Sequence, residues 1–230
     1  MAIFWKPSER SWVNRMKEAV KQVLDELTDR YPELEVCRKE IEDAYLLLEE
    51  AYDHGKKLLI CGNGGSAADS EHIAGELMKR FKYSRPVSEE FAKKMIAIDE
   101  KRGEKLAKGL ERPLRAVPLT SHIGLMTAYM NDVDAQGVYA QQVLGYGDEG
   151  DVLLAISTSG NSENILNACV AAKALGLGII ALTGGKDCLL QDYADVCIMV
   201  PETETFKVQE LHLPVYHCLC LMLETNYFGK

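Results

Sequence analysis

The sequence has no long apolar run, since no stretch approaches the ~18 residues that a helix needs to span a bilayer. Its first residues, MAIFWKPSERSW, lack an apolar core followed by a small-residue cleavage site, so we expect no secretion signal. Basic residues are not in excess either, with 26 Lys and Arg against 35 Asp and Glu and a formal net charge of −9. Because duplex binding draws most of its affinity from basic side chains on phosphates, we expect neither a membrane nor a nucleic-acid partner.

Nucleotide-binding signatures and paired cysteines are also missing. The sequence contains neither a GxxxxGK[ST] loop nor a GxGxxG fingerprint, which argues against the common ATP and dinucleotide sites. Its seven cysteines are odd in number and scattered, and no CxxC pair occurs. Such cysteines are typical of reduced thiols, so we expect a soluble cytoplasmic protein.

Five short apolar runs, bounded by Gly, Ser, Thr or Pro, make up the second part of the chain and alternate with helical segments. Strands that are continuously apolar and alternate with helices indicate an α/β fold, with a parallel sheet covered on both faces. The predicted strands lie near 57–61, 115–119, 151–157, 178–183 and 196–200. The helices between them are predicted to start near 66, 123, 161 and 186, and a last helix to run from about 205 to 226. Pro214 lies inside that last helix and predicts a kink or an early end.

Two regions precede or interrupt this pattern. Amphipathic helices are predicted at 8–30, with Ser8 as the N-cap, and at 34–54, so we divide the chain into an N-terminal helical segment, 1–55, and an α/β domain, 56–230. An inserted segment at about 84–113 is dense in Lys and Glu. It is predicted to be a solvated helical excursion, and the alternative is a mobile lid or an interface arm.

Two loops rich in Gly and Ser follow predicted strands, Cys61-Gly62-Asn63-Gly64-Gly65-Ser66 and Ser157-Thr158-Ser159-Gly160-Asn161-Ser162. Each leads from the carboxyl end of a strand into a helix, which is the edge where open α/β sheets bind ligands. Glycines let backbone N–H groups approach an oxyanion, the helix N-terminus adds partial positive charge, and the hydroxyls donate hydrogen bonds. Either loop alone could be a tight turn with a serine cap, but the two together predict a phosphate site.

Two helices carry side chains suited to proton transfer or to metal binding. His72 and Glu76 are four residues apart and lie on one face of the helix after the first loop. Gln209 and His217 are eight residues apart on the last helix. A Glu and a His are a natural acid–base pair for a sugar, and the four side chains could also hold a divalent cation such as Zn²⁺. The simpler alternative is a surface pair that makes only hydrogen bonds.

Six stretches of the sequence resemble the sugar isomerase (SIS) domain family, and most closely the bacterial phosphoheptose isomerases within it: CGNGGSAADSEHIAGEL, the Asn131-Asp132 pair, EGDVLLAISTSGNSENI, LTGG, VPETETFKVQELH and YHCLCLMLE. The likeness covers nearly the whole chain apart from 84–113. It implies a three-layer SIS-type fold with a five-stranded parallel sheet. It also implies an aldose–ketose isomerase of a sugar phosphate, converting sedoheptulose 7-phosphate to D-glycero-D-manno-heptose 7-phosphate.

The resemblance also assigns roles to residues of this chain. It implies that Glu76 and His217 are the catalytic acid–base pair, and that His72, Glu76, Gln209 and His217 are the ligands of one zinc ion. It further implies a homotetramer whose sites combine residues of neighbouring subunits. The substrate- and phosphate-binding positions that it implies are Asn63, Gly64, Ser66, Asp132, Ser157, Thr158, Ser159, Ser162 and Gln209.

The sequence departs from the family pattern at three places, and two other functions compete with catalysis. The segment 84–113 is longer than the usual connection, Phe206 replaces an acid, and Gly75 replaces a second glutamate. A non-catalytic SIS protein that binds phosphosugars or the replication initiator would lack equivalents of Glu76 and His217, and both are present here. A SIS-type transcriptional regulator would need a helix-turn-helix domain, which the two long N-terminal helices do not resemble.

Overall fold

A computed structural model describes residues 16–229 and shows a five-stranded sheet at the centre of the protein. All four neighbouring pairs run parallel, in the order β2-β1-β3-β4-β5. The five strands are β1 Leu58–Gly62, β2 Ala116–Pro118, β3 Val152–Ile156, β4 Gly178–Gly184 and β5 Val196–Val200. The predicted strands are therefore confirmed to within one residue at each end.

Helices cover both faces of the sheet, which confirms the three-layer α/β architecture. They are α1 Glu18–Arg30, α2 Arg38–Asp53, α3 Gly65–Met78, α4 Glu89–Ile98, α5 Glu100–Gly109, α6 Ile123–Asp132, α7 Val138–Tyr146, α8 Glu163–Leu175 and α9 Thr205–Phe228. Alternate residues of β1 show how the layers form, because side chains of a strand alternate between the faces. Leu58 and Ile60 pack with α1, α2, α3 and α9, whereas Leu59 and Cys61 pack with α7 and α8.

The N-terminal helices belong to the same hydrophobic cluster as one face of the sheet. The first predicted helix, 8–30, is described only from residue 16, and its proposed cap Ser8 lies outside the described residues; α1 begins at Glu18. The second predicted helix is divided into a 3₁₀ turn at Pro32–Cys37 and α2. The boundary between residues 55 and 56 stays a prediction.

Three predictions about helices need correction. The helix expected near 186 is only a 3₁₀ turn, Leu189–Asp192, because this short connection between β4 and β5 packs behind the second Gly/Ser loop instead of forming helical turns. Its backbone N–H at Leu190 donates to the carbonyl of Gly160 at 3.1 Å. A second helix after β2, α7, was not predicted. Finally, α9 does not end early at Pro214 but continues to Phe228, 24 residues in all, close to the predicted range of 205–226.

The inserted segment forms a helical hairpin of α4 and α5, with Ser88 and Asp99 capping the two helices. Gly103 lets the helices approach closely, since a Cβ there would lie 2.5 Å from the Cα of Ile96. Most of the hairpin is exposed, as predicted, but Arg85 at its base is completely buried. Within residues 16–229 no helix has the length and apolar character to cross a membrane.

Candidate functional site

The two Gly/Ser loops lie side by side at the centre of the sheet. β1 pairs with β2 on one side and with β3 on the other. The strand order therefore has a topological switch point between β1 and β3. In open parallel sheets the crevice at such a switch point, outside the carboxyl ends of the strands, binds ligands. Both predicted loops flank this crevice, and the N-termini of α3 and α8 point into it.

The first loop connects β1 to α3 through a strained turn that requires glycine. Gly64 has a φ of +57°, and a Cβ on Gly62 would lie 2.5 Å from the backbone oxygen of Ser66. Ser66 is buried at the first turn of α3. Asn63 reaches across the crevice and exchanges two amide hydrogen bonds of 2.9 Å with Asn164 on α8. This pair ties the first loop to the helix that follows the second.

The second loop gathers its hydroxyls in front of α8. The Oγ atoms of Ser157 and Ser162 are 3.1 Å apart, and Ser159 accepts a hydrogen bond from the backbone N–H of Asn161 at 3.3 Å. Gly160 has a φ of +64°, and a Cβ there would run into the sulfur of Cys188. Thr158 is half-buried, and its carbonyl accepts from the N–H of Gly184 at 3.2 Å. Hydroxyls, backbone N–H groups and a helix N-terminus thus face one crevice, an arrangement that suits a phosphate.

A second group of polar side chains lies between α3 and α9. The Nε2 atom of His72 is 3.4 Å from Oε1 of Glu76 and 3.5 Å from Nε2 of His217. Burial, and then the neighbouring His72, hold the pKa of His217 below its usual value, so its ring is neutral at pH 7. A neutral imidazole beside a carboxylate can accept and return protons. The predicted acid–base pair is therefore brought together from two helices far apart in the chain.

Two predicted site residues lie elsewhere. The amide of Gln209 packs on the first turn of α3, where a Cβ on Gly65 would lie 2.5 Å from its Nε2 atom. Eight residues of α-helix, about 12 Å, separate Gln209 from His217. The set of four zinc ligands that includes Gln209 therefore stays a prediction. Asp132 lies at the end of α6, where it accepts a hydrogen bond of 2.8 Å from Asn131.

The His72 cluster consists of side chains of the types that bind zinc. In the described part of the chain no three His, Cys, Asp or Glu side chains are already arranged around one point as a metal site. The separations of 3.4 and 3.5 Å that His72 makes with Glu76 and His217 are nevertheless close to the ligand–ligand distance of a tetrahedral zinc site, about 3.4 Å. The side chains are thus of the types that bind zinc, but they are not arranged around one point.

Sequence reasoning missed a buried ion pair that supports Glu76. Arg85 and Glu224 are both fully buried and are 2.8 Å apart. The guanidinium also donates to the carbonyls of Leu77, at 2.7 Å, and of Glu76, at 3.2 Å, so it caps the last turn of α3. One signal was present, because Glu224 is a lone acid in an apolar stretch, and a buried carboxylate requires a partner.

A cavity of about 770 Å³ opens at the opposite edge of the sheet, among residues that precede or begin the strands, such as Lys56, Asp151 and Gly178. Charged side chains that line it form an ion pair, since Lys173 lies 3.1 Å from Asp195. We place the functional site at the carboxyl edge instead, because the glycine turns and the helix N-termini lie on that side.

Comparison with known proteins identifies one family and relatives that share one name. The chain matches the family model described as SIS domain over residues 18–112 and 107–184. It is 40% identical over 192 residues to a phosphoheptose isomerase of Thiobacillus denitrificans, covering 82% of this chain and 84% of that protein. A phosphoheptose isomerase of Akkermansia muciniphila is 32% identical, covering 93% of this chain and all of that protein.

Solved structures that resemble this chain include proteins of the same name. A phosphoheptose isomerase from Francisella tularensis superimposes with a TM-score of 0.65 at 29% identity, covering 90% of this chain and 94% of that one. The enzyme of the same name from Neisseria gonorrhoeae has a TM-score of 0.64 at 29% identity, with 87% and 98% covered.

Proposed function

The chain belongs to the SIS domain family, and from that premise we propose that it is an enzyme that interconverts the aldose and ketose forms of a sugar phosphate. Its substrate is then a seven-carbon sugar, sedoheptulose 7-phosphate, and its product D-glycero-D-manno-heptose 7-phosphate. The relatives' shared name, phosphoheptose isomerase, supports this choice of sugar, and the two Gly/Ser loops support a phosphate as its anchor.

The substrate would be bound by its phosphate at the crevice between β1 and β3. The second loop donates hydroxyl hydrogen bonds from Ser157, Thr158, Ser159 and Ser162, and Ser66 adds one from the first turn of α3. Because two helix N-termini face the anion, the acidic chain needs no lysine there. Asn63, Gly64, Asp132 and Gln209 are the residues that we assign to the sugar chain.

Glu76 and His217 would carry out the isomerisation. The reaction takes a proton from C2 or C1, passes through an enediol, and returns the proton to the other carbon, while a second proton moves between the oxygens. A positioned carboxylate and a neutral imidazole can divide these tasks, one removing the carbon-bound proton and the other protonating the oxygen. The single observation that carries this proposal is that both groups lie within 3.5 Å of the same His72 ring.

Hydrogen exchange with solvent tests the proposal directly. The purified protein is incubated with a panel of C5–C7 ketose phosphates in deuterium oxide, and the products are followed by NMR. We expect deuterium at C1 or C2 and the appearance of an aldose, fastest for the seven-carbon ketose. If no ketose phosphate exchanges either hydrogen, the protein is not an isomerase, and the alternative of a non-catalytic phosphosugar-binding protein takes its place.

Zinc is proposed as a cofactor held by His72, Glu76 and His217. When bound there, it would polarise a substrate oxygen and stabilise developing negative charge. The fourth ligand implied by the resemblance is Gln209, whose backbone lies about 12 Å from that of His217 along α9. The alternative is that the same side chains only hydrogen-bond to the substrate.

Metal analysis of untagged protein decides between these two roles. We expect close to one zinc per chain and a loss of turnover after chelation that added Zn²⁺ restores. Less than about a tenth of an equivalent, with full activity after chelation, would remove zinc from the mechanism. His54, an exposed histidine at the end of α2, supplies the control, because the His54→Gln variant should bind the same amount of metal.

We also propose that the chain assembles as a homotetramer, with sites completed by neighbouring subunits. Ser66 and Glu76 are ten residues apart on α3, about 15 Å along its axis, so a second subunit could bring its loops or its cluster nearer. Helix α6 exposes apolar side chains of the kind that subunits bury, including Ile123 and Leu125.

A cytoplasmic location is proposed from the seven cysteines, all of them free thiols.

A further inference from the structure

Tyr216 connects the His72 cluster to a carboxylate that the proposed chemistry does not use. Its hydroxyl oxygen lies 3.0 Å from Nδ1 of His72 and 3.3 Å from Oδ1 of Asp69. Asp69 is one turn before His72 on α3, while Tyr216 directly precedes His217 on α9. The Tyr216 side chain is 1% exposed, so water does not compete for its hydroxyl. The contact therefore links the two helices that carry the acid–base pair.

The direction of these two hydrogen bonds follows from counting protons. A tyrosine hydroxyl has one proton to donate and lone pairs that accept, whereas an ionised carboxylate only accepts. The other oxygen of Asp69, Oδ2, is buried and has no partner among the described residues. If Tyr216 donated to His72, both oxygens of this carboxylate would lack a donor, which is costly in a buried position. The tyrosine proton therefore goes to Asp69.

This assignment fixes the tautomer of His72. With its proton committed to Asp69, the Tyr216 oxygen can only accept from His72, so Nδ1 of the imidazole carries the hydrogen. In the neutral ring, Nε2 then presents a lone pair towards Glu76 and His217. An Nε2 acceptor, and not an N–H donor, is what a metal or a transferred proton needs at that position.

We propose that Tyr216 and Asp69 are positioning residues that hold His72 as its Nδ1–H tautomer and so keep Nε2 available between Glu76 and His217. The proposal deepens the proposed function, since an available Nε2 matters for zinc binding and proton transfer there. It concerns the ring of His72 itself, however, and can be measured in the protein without substrate.

Nitrogen-15 NMR of the histidine rings tests the tautomer directly. In the unmodified protein we expect His72 to carry its proton on Nδ1. Tyr216→Phe removes the acceptor and should leave a mixture of tautomers. Asp69→Ala makes a sharper change, because the freed Tyr216 proton can now be donated to Nδ1, and the ring should switch to the Nε2–H form. A merely structural role for Asp69 would not invert the tautomer.

Zinc affinity is the second measurement, made with Zn²⁺ alone. Loss of a partner that orients a metal-binding histidine costs about 10–100-fold in affinity, and we expect a loss of that size for Tyr216→Phe. Tyr45 is a matched control, since it is equally buried and its hydroxyl donates to Glu49 at 2.7 Å, remote from this cluster. Tyr45→Phe should leave both the tautomer and the zinc affinity unchanged.

The outcomes separate this proposal from the function on which it builds. An Nε2–H His72 in the unmodified protein, or an unchanged tautomer in both variants, overturns the positioning role even if the enzyme isomerises heptose phosphates. An Nδ1–H ring that inverts in Asp69→Ala supports it even if the protein shows no isomerase activity. Should Tyr216→Phe fail to fold, Asp69→Ala alone decides, because its expected inversion does not depend on the first variant.

Discussion

Glu76→Gln and His217→Gln are each expected to lose at least about a hundredfold in turnover while still binding sugar phosphate, since a positioned acid or base contributes about 10²–10⁴-fold. Glutamine keeps the shape of the Glu76 side chain but cannot take a proton from carbon. In His217→Gln, the glutamine side chain has no nitrogen that can accept or release a proton near neutral pH. The phosphate loops are untouched in both variants, so substrate affinity should change little and the loss should appear in kcat.

The matched controls for this experiment are Glu26→Gln and His54→Gln. Both residues are exposed helical side chains away from the crevice, so both variants should keep normal turnover. Near-normal turnover in Glu76→Gln or His217→Gln, measured on the best substrate of the panel, would show that the residue concerned is not catalytic.

Arg85→Met is expected to lower the free energy of unfolding by about 3–5 kcal/mol, because it leaves the buried Glu224 carboxylate without its counter-charge. The variant also removes the hydrogen bonds from Arg85 to the carbonyls of Glu76 and Leu77 at the end of α3. Urea unfolding at a fixed protein concentration measures the loss, since assembly would otherwise shift the apparent stability. Arg102 is the matched control: its ion pair with Asp99 is at the surface, and Arg102→Met should cost less than about 1 kcal/mol.

A second variant shows whether the loss of stability in Arg85→Met comes from the unpaired charge or from lost packing. In Arg85→Met with Glu224→Gln no charge is left buried, and the single amide oxygen still accepts from one of the backbone N–H groups of Phe81 and Lys82, which now bond to the two carboxylate oxygens at 2.8 and 2.7 Å. The double variant should therefore be more stable than Arg85→Met alone. A double variant less stable than the single one would mean that the burial of charge is not the main cost.

The structure also corrects how the charged insertion was interpreted. Its composition predicted a solvated excursion, and the hairpin of α4 and α5 is indeed mostly exposed. Arg85 was included in that segment although it is a core residue. Composition could not distinguish it from the neighbouring surface cations, because burial of an arginine depends on a partner 139 residues away.

The sequence by itself determined the strands, the two Gly/Ser loops and the residue types of the acid–base pair. These are local properties: a continuously apolar run specifies a buried strand, and glycines that must adopt positive φ specify a turn. The i, i+4 spacing of His72 and Glu76 likewise places them on one face of a helix. The family resemblance rests on the same short motifs.

Only the tertiary structure decided which of these local features meet. The strand order placed the two loops at one switch point, and the packing of α9 on α3 brought His217 to His72 while leaving Gln209 two turns away. Tyr216 and Asp69, or Arg85 and Glu224, have no relation that spacing could reveal, because each pair joins residues about 140 positions apart. Such contacts are set by how the helices pack against the sheet and each other, and that packing depends on the whole core at once.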